Sequence, residues 1–242
     1  MTKYELILVD MDDTLLDTHH SERASLRTVL NDVGIPAGEE MVNTYFQFSH
    51  EHWDAFHRGE GDRVFRRHEP MQRLLEHYGL HGYDALEVAG RYQEYMLTHI
   101  PPYPETEMFL ERLAAAPVTC ALATNGSGEM QRVKIAHSLV GRYFPEEVRF
   151  ISQEVGFEKP SPHFFEAIFR RFPDVPRERI LMIGDSLRFD IKGGNNAGID
   201  TVWLNLLGKP CQPDVFPTYE ARTHEQALNF ILAEEEDVDE AI

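Results

Sequence analysis

The sequence predicts an α/β protein in which a Rossmann-like parallel sheet, with helices on both faces, is interrupted by an inserted all-helical cap domain. Two observations lead to this prediction. From Pro104 onward, short apolar runs alternate with amphipathic segments, a pattern typical of a parallel sheet with right-handed crossovers. Between residues 17 and 102, almost every segment instead spaces its apolar residues as a helix does, and no strand is evident.

The first strand and the inserted helices precede that alternation. Tyr4 to Val9 is an apolar run that predicts a buried strand, which must join the sheet across the insertion. Ser21 is expected to cap a helix that ends near Val33, where Gly34 and Pro36 follow. Three further helices are predicted over residues 41–56, 64–78 and 83–100.

The remaining elements are predicted from the alternating part of the chain. Helices are expected over residues 105–115, 129–139, 162–172 and 190–197, and strands over residues 118–123, 149–152, 179–183 and 201–204. The predicted core therefore comprises residues 1–16 and 103–242. The predicted cap comprises residues 17–102.

The composition argues against several classes of partner. The net charge of −18 disfavours nucleic acid, because affinity for a phosphate backbone is built from clusters of Lys and Arg. The sequence contains neither an apolar run of spanning length nor a signal-peptide pattern, so we expect a cytoplasmic protein that binds no membrane. Cys120 and Cys211 form neither a disulfide framework nor a metal site.

A monomer or weak homodimer is expected. Part of the negative charge lies in the tail from Glu234 to Glu240, which is interpreted as a solvated helix end. A small anionic substrate remains compatible with the net charge if local cations outweigh the overall field.

Two carboxylates, Asp10 and Asp12, follow the first strand directly. Side chains two apart on extended backbone point the same way, and the carboxyl ends of parallel strands line the ligand crevice of an open sheet. Adjacent carboxylates are costly unless a cation or protons compensate them, and Mg²⁺ is the expected compensation. One carboxylate could then be a nucleophile while the other carries protons. The competing interpretation is a turn in which both residues serve as helix caps.

A possible phosphate cradle follows the second predicted strand. Thr124, Asn125 and Gly126 stand before a helix, where hydroxyl, amide and helix dipole all favour an anion; a simple helix cap is the alternative. Lys159 precedes Pro160 in a loop ahead of another helix, so its ammonium could neutralise a carboxylate and an incoming phosphate. An ordinary solvated lysine is the alternative there.

A second acidic pair follows the strand predicted over residues 179–183. Mg²⁺ takes one or two carboxylates while keeping several waters, and Asp185 is placed to be such a ligand beside Asp10. Asp190 is expected in the second shell of the metal, where it would hold a water or Lys159. Helix capping is its alternative role.

The four segments DMDDT, TNG, KP and GDSLRFD, in this order, together resemble the haloacid dehalogenase superfamily. The resemblance implies a Mg²⁺-dependent transfer of phosphoryl groups through an aspartyl-phosphate. It implies that Asp10 is the nucleophile, that Asp12 is the general acid and base and meets Mg²⁺ through its backbone carbonyl, and that Asp185 is a metal ligand. The residues it implies for phosphate binding are Thr124, Asn125 and Lys159.

Several further stretches are similar to the pyrimidine 5′-nucleotidases of that superfamily: Tyr45, Trp53 and Gly59-Glu60 in the predicted cap, EVGFEKPSPHFF, and GGNNAGIDTVWLN. Ser49 and Ser186 depart from the residues expected in those relatives. The Ser186 hydroxyl could still serve the second shell of the metal. The resemblance implies a small phosphorylated metabolite as substrate, with a nucleoside monophosphate favoured.

Three alternatives remain open from the sequence. They are a phosphosugar phosphatase, a phosphoglucomutase-type phosphotransferase and, more remotely, a binding module without catalysis. Aromatic residues at helical spacing in the cap could form a wall that stacks on a base, although packing in the core of the cap is their simpler role. These residues are Tyr45, Phe46, Trp53 and Phe56.

Overall fold

The computed structural model describes residues 2–58, 60 and 68–233. The predicted helix start at Val64 and the acidic tail from Glu234 to Glu240 lie outside these residues. The chain divides into two compact units. The first comprises residues 1–18 and 101–242, and the second comprises residues 19–100.

A parallel sheet forms the first unit. Its strands are β1 (Leu6–Val9), β2 (Thr119–Thr124), β3 (Arg149–Ile151), β4 (Ile180–Gly184), β5 (Asp200–Leu204) and β6 (Tyr219–Ala221). They are arranged in the order β3-β2-β1-β4-β5-β6, and every neighbouring pair is parallel. The first strand thus lies between β2 and β4, which confirms that it joins the sheet across the insertion.

Helices connect the strands and build the second unit. They are α1 (Thr18–Asp32), α2 (Glu39–His57), α3 (Glu69–His77), α4 (Ala85–Thr98), α5 (Thr106–Ala115), α6 (Gly128–His137), α7 (Val140–Tyr143), α8 (Ser152–Val155), α9 (Pro162–Arg171), α10 (Lys192–Ala197) and α11 (His224–Leu232). No helix of the described ranges combines the length and the apolar character that crossing a membrane requires.

The core of the first unit follows from the alternation of side chains along each strand. Leu6 and Leu8 in β1 pack in one buried cluster with Phe164, Phe165 and Ile168 of α9. The intervening residues of the strand point to the opposite face of the sheet, where α5 lies against β2 and α11 lies against β5. Helices therefore cover both faces, as predicted, and the polar residues that follow the strands are left at one edge.

The second unit is helical throughout the residues that the structure describes, in agreement with the sequence pattern. Tyr45 is buried in its core, and its ring meets the rings of Phe46 and Tyr92 edge-on at 5.4 and 5.5 Å. The prediction that Ser21 caps α1 is wrong. The helix begins at Thr18, and the Ser21 hydroxyl inside it donates to the His99 carbonyl at 2.9 Å.

The structure differs from the sequence-based prediction at other places too, and the short helices α7 and α8 are among the elements that are not predicted. A turn of π-helix at Leu187–Ile191 precedes α10, where one continuous helix from Asp190 is predicted. Strand β6 and helix α11 are not predicted at all. Strand β6 contains three residues and follows a stretch with Pro210, Pro213 and Pro217, so local periodicity is too short to reveal it.

Candidate active site

Asp10 lies at the carboxyl end of the central strand. Val9 pairs with Leu122 on one side and with Ile183 on the other, so Asp10 emerges between the ends of β2 and β4. The Thr14 hydroxyl donates to Asp10 Oδ2 at 3.0 Å and accepts from the Asp185 backbone N–H at 3.1 Å. Thr14 is fully buried and thereby ties the loop after β1 to the loop after β4.

Lys159 reaches into the same position from the loop before α9. Its Nζ donates to Asp10 Oδ1 at 2.7 Å, to Asp190 Oδ1 at 2.6 Å and to the Ala123 carbonyl at 2.6 Å, which uses all three ammonium hydrogens. The residue is only 1% exposed. Burial disfavours the ammonium, but the charges of Asp10 and Asp190 outweigh that effect and hold the pKa of Lys159 above its ordinary value.

The Asn125 side chain fixes the backbone of Lys159. Its Oδ1 accepts from the Lys159 N–H at 2.9 Å, and its Nδ2 donates to the Lys159 carbonyl at 3.0 Å. The Lys159–Pro160 peptide bond is cis. Asn125 therefore orients the lysine that lies against Asp10, a relation between two predicted site residues that sequence spacing did not indicate.

Asp10 and Asp190, which both contact Lys159, form a cluster with a third carboxylate, that of Asp185. One oxygen from each of Asp10, Asp185 and Asp190 lies within 4.8 Å of the other two. Burial, together with the neighbouring negative charges, raises the pKa of Asp10 to about 7 and that of Asp185 to about 6, and burial also raises the pKa of Asp190. Lys159 pairs with Asp10 and Asp190, and Lys209 pairs with Asp185, so two lysines face three carboxylates. This cluster of hard oxygen donors fits a divalent cation such as Mg²⁺.

Several hydrogen bonds hold Asp185 and Asp190 in place after β4. The Trp203 indole N–H donates to the Asp185 carbonyl at 2.9 Å, and Lys209 Nζ lies 2.7 Å from Asp185 Oδ2. The Ser186 N–H donates to Asp190 Oδ2 at 3.0 Å, while the Ser186 hydroxyl accepts from the Phe189 N–H at 3.2 Å. The Ser186 hydroxyl, predicted to serve the second shell of a metal, thus caps the helical turn.

Gly184 is required by this arrangement. A β-carbon at position 184 would lie 2.3 Å from the Asp190 carboxyl carbon, far inside van der Waals contact. The absence of a side chain at the end of β4 therefore lets Asp190 approach the strand and reach Lys159.

Asp12 belongs to a separate set of contacts. Its Oδ1 accepts from the Thr18 hydroxyl at 2.9 Å and from Lys134 Nζ at 2.8 Å, and its Oδ2 accepts from Gln131 Nε2 at 2.8 Å. Burial alone would raise the pKa of Asp12. The charge of Lys134 and the donated hydrogen bonds outweigh burial and lower the pKa of this carboxyl.

Gln131 also connects Asp12 to the predicted phosphate cradle. Its Nε2 lies 2.7 Å from Thr124 Oγ1 and 2.9 Å from the Asn125 carbonyl. Gly126 permits this approach, because its φ is +141° and a β-carbon there would lie 3.1 Å from the Gln131 side chain. Sequence reasoning missed Gln131 and Lys134, whereas Thr14 could have been found as part of the DMDDT motif.

The acidic cluster should make stabilisation of the fold by Mg²⁺ depend on pH. The raised pKa values of Asp10 and Asp185 mean that the folded protein holds protons which the unfolded chain releases, so this contribution to stability is lost as pH rises from about 4 through about 6–7. A cation that replaces those protons should stabilise the fold more at high pH. We expect the rise in the midpoint of thermal unfolding on adding Mg²⁺, relative to EDTA, to be small near about pH 5 and larger near about pH 8.

The matched variant is Asp185→Asn, which removes one carboxylate from the cluster and should abolish most of that pH-dependent rise. A Mg²⁺ effect that is equal at both pH values, or equally large in Asp185→Asn, would place the bound cation elsewhere.

Several known proteins are similar to this chain over nearly its whole length. Residues 4–198 match the family model described as haloacid dehalogenase-like hydrolase. The HAD-hydrolase YfnB of Bacillus subtilis is 32% identical over 97% of this chain and 98% of its own length. A crystal structure of YfnB bound to magnesium superposes with a TM-score of 0.81, covering 95% of this chain and 99% of that one.

Relatives with named activities include a nucleotidase and a phosphoserine phosphatase. The pyrimidine 5′-nucleotidase PynA of Streptococcus pneumoniae is 30% identical over 93% of this chain and 94% of its own length. The phosphoserine phosphatase of Thermus thermophilus is 28% identical over 88% of this chain and 93% of its own length. Phosphatases of small phosphorylated metabolites thus recur among the proteins similar to this chain.

Proposed function

Because the chain belongs to the haloacid dehalogenase-like hydrolases, we propose that it is a cytoplasmic, Mg²⁺-dependent phosphatase that hydrolyses nucleoside 5′-monophosphates through a phosphorylated Asp10. The observation that carries the proposal is the contact between Asp10 Oδ1 and Lys159 Nζ at 2.7 Å, with a second carboxylate two residues further along the chain. In this proposal Asp10 is a buried nucleophile beside the Lys159 cation. Asp12 is the group that carries protons.

The proposed reaction has two steps. In the first step an oxygen of Asp10 attacks phosphorus, the bond from phosphorus to the ester oxygen breaks, and Asp12 gives its proton to the leaving oxygen. In the second step a water attacks the same phosphorus, Asp12 takes a proton from that water, and the bond to Asp10 breaks, which releases inorganic phosphate and restores the Asp10 carboxylate and the protonated Asp12 with which the cycle begins. Covalent catalysis thereby divides one difficult hydrolysis into two easier displacements.

Charge neutralisation and positioning must supply most of the acceleration, since hydrolysis of phosphate monoesters is very slow without a catalyst. Lys159 contacts the proposed nucleophile Asp10, and Asn125 holds the backbone of Lys159. Asp10 and Asp185, together with the backbone carbonyl of Asp12, would hold Mg²⁺. The bound ion would neutralise charge on the phosphoryl oxygens.

The site of the phosphate group is proposed at the ends of β1 and β2. The Thr124 hydroxyl is buried beside Gln131, and the Gly126 N–H donates to the Ser152 hydroxyl at 3.0 Å. Lys159 supplies the positive charge of this site. A dianionic phosphate seated there would lie close to both Asp10 and the start of α6.

The choice of a nucleotide among small phosphorylated metabolites is supported by the relative PynA, named a pyrimidine 5′-nucleotidase, and by the stretches noted in the sequence. The aromatic residues of the second unit contribute less support. Tyr45 packs in the core of that unit, while Trp53 is 39% exposed, and the side chain of Phe56 lies outside the described residues. A phosphoserine phosphatase is the second candidate, because the relative from Thermus thermophilus is named as one.

The test is a screen for phosphate release with Mg²⁺ present. The panel should contain ribo- and deoxyribonucleoside 5′-monophosphates, phosphoserine, glyceraldehyde 3-phosphate, several hexose phosphates and 2-chloropropionate as a dehalogenase substrate. We expect the largest kcat/KM for a nucleoside 5′-monophosphate with a pyrimidine or modified base, and no release of chloride. A higher kcat/KM for any sugar phosphate or for phosphoserine, or isomerisation of glucose 1-phosphate without phosphate release, would refute the nucleotidase assignment.

A further inference from the structure

One face of α6 lies against Asp12. Gln131 and Lys134, three residues apart on this helix, are 2% and 7% exposed and both donate to the Asp12 carboxylate. Residues at this spacing lie on the same side of a helix, so α6 presents the two donors together. A buried lysine is costly unless a negative partner compensates it, and the partner of Lys134 is Asp12 Oδ1.

The two oxygens of Asp12 are held differently. Oδ1 accepts from two donors, the Lys134 ammonium at 2.8 Å and the Thr18 hydroxyl at 2.9 Å. Oδ2 accepts from Gln131 Nε2 alone among the contacts of the described residues. That amide nitrogen also lies within hydrogen-bond distance of Thr124 Oγ1 and the Asn125 carbonyl. An amide nitrogen carries two hydrogens, so three acceptors compete for them.

We propose that Lys134 is a positioning residue for the acid–base steps. The lysine holds Asp12 Oδ1 in place. Oδ2, whose donor, the Gln131 amide, also contacts Thr124 and Asn125, is then the oxygen that transfers the proton. This inference rests on the proposed function of Asp12. An oxygen that accepts two hydrogen bonds, one of them charge-assisted, is poorly available for a proton. When the Gln131 amide donates to Thr124 and Asn125, Oδ2 is free to face the leaving oxygen or the water.

Two other roles for Lys134 make different predictions. If the ammonium binds the phosphate of the substrate, its loss should raise KM and leave kcat nearly unchanged, because that contact is made equally in the ground state and the transition state. If the residue only supports the fold, its loss should lower the midpoint of unfolding and affect all substrates alike. A positioning role lowers kcat, and does so most when the leaving group needs a proton.

The experiment measures kcat and KM for the best alkyl phosphomonoester of the screen and for p-nitrophenyl phosphate, whose leaving group is a weak base. The proteins are wild type, Lys134→Met, Lys134→Arg, Asp12→Ala, and the double variant Asp12→Ala/Lys134→Met. Lys192→Met is the matched control, because Lys192 is an exposed lysine on α10.

For Lys134→Met we expect kcat on the alkyl ester to fall about 10- to 100-fold, a smaller fall on p-nitrophenyl phosphate, and little change in KM. Lys134→Arg should recover part of the loss.

The double variant keeps the test independent of general effects on folding. Since Lys134 is proposed to act through Asp12, removing it from Asp12→Ala should cause no further loss of kcat. A raised KM with unchanged kcat, an equal loss on both substrates, or additive losses in the double variant would overturn the proposal. If Asp10→Asn is inactive while the Lys134 variants behave like Lys192→Met, only the role of Lys134 fails. Activity that survives in Asp10→Asn would refute the proposed function itself.

Discussion

Asp10→Asn is expected to reduce kcat for phosphate release by at least about 10⁴-fold, the scale of loss when the nucleophile of a covalent mechanism is removed. The amide is close in shape to the carboxylate but keeps only one acceptor: its oxygen can accept from Lys159, while its nitrogen faces the Thr14 hydroxyl, which can accept as well as donate. The amide oxygen is, however, a poor nucleophile towards phosphorus. The loss should therefore be chemical and not structural.

The thermal stability of Asp10→Asn shows whether its loss of activity is chemical or structural. Burial raises the pKa of Asp10, which means that the ionised form is disfavoured in the folded protein. A neutral residue removes this penalty, and Lys159 keeps Asp190 as its anionic partner, so the midpoint of thermal unfolding in EDTA should stay close to that of wild type. The matched control is Asp174→Asn, an exposed residue of the same unit, which should leave kcat unchanged. An Asp10→Asn protein that folds normally and keeps substantial activity would remove Asp10 from the mechanism.

Lys159→Met is expected to have a large effect on stability as well as on activity. The substitution shortens the side chain by one heavy atom and leaves Asp10 and Asp190 buried without their cation. Removing one partner of a buried ion pair typically costs about 3–5 kcal/mol. We expect a decrease of that size in the free energy of unfolding, measured by urea denaturation in EDTA near about pH 8, together with a severe loss of phosphatase activity.

The pH dependence of this loss has a definite sign. Without Lys159 the carboxylates should bind protons more readily, and protonation relieves the uncompensated charge, so the destabilisation should shrink near about pH 5. Adding Asp190→Asn to Lys159→Met should recover part of the stability, because it removes one of the stranded carboxylates. Lys192→Met serves again as the control. A loss that is independent of pH, or that is not relieved by Asp190→Asn, would mean that Lys159 stabilises the fold through its packing instead of its charge.

The parts of the site that follow strand ends could be predicted from the sequence. Asp10 and Asp185 each come directly after an apolar run, and parallel strands bring such positions to one edge of a sheet. Lys159 could be assigned to the same edge by its place in the order of motifs, although it is 149 residues away from Asp10. The identity and approximate bounds of the elements that contain these residues were predictable for the same reason.

The residues around Asp12 could not be predicted in this way. Gln131 and Lys134 lie on α6, where polar and charged residues ordinarily indicate a solvated face. Their burial depends on how the loop after β1 lies against that helix, which is a property of the folded chain. The roles of Asn125 and the Ser186 hydroxyl depend likewise on backbone positions distant in sequence or set by a local turn. Side-chain chemistry narrows what such residues can do, but packing decides which partner each one finds.

Trapping of the proposed intermediate tests the central claim most directly. Wild-type enzyme should be mixed with its best substrate and Mg²⁺, quenched in acid within one turnover, digested with trypsin and analysed by mass spectrometry. We predict one phosphoryl group on the peptide from Tyr4 to Arg23, located at Asp10, removed by hydroxylamine and absent from Asp10→Asn. Phosphate release in a rapid first turnover with that peptide unmodified, or with the phosphoryl group on another residue, would contradict the mechanism.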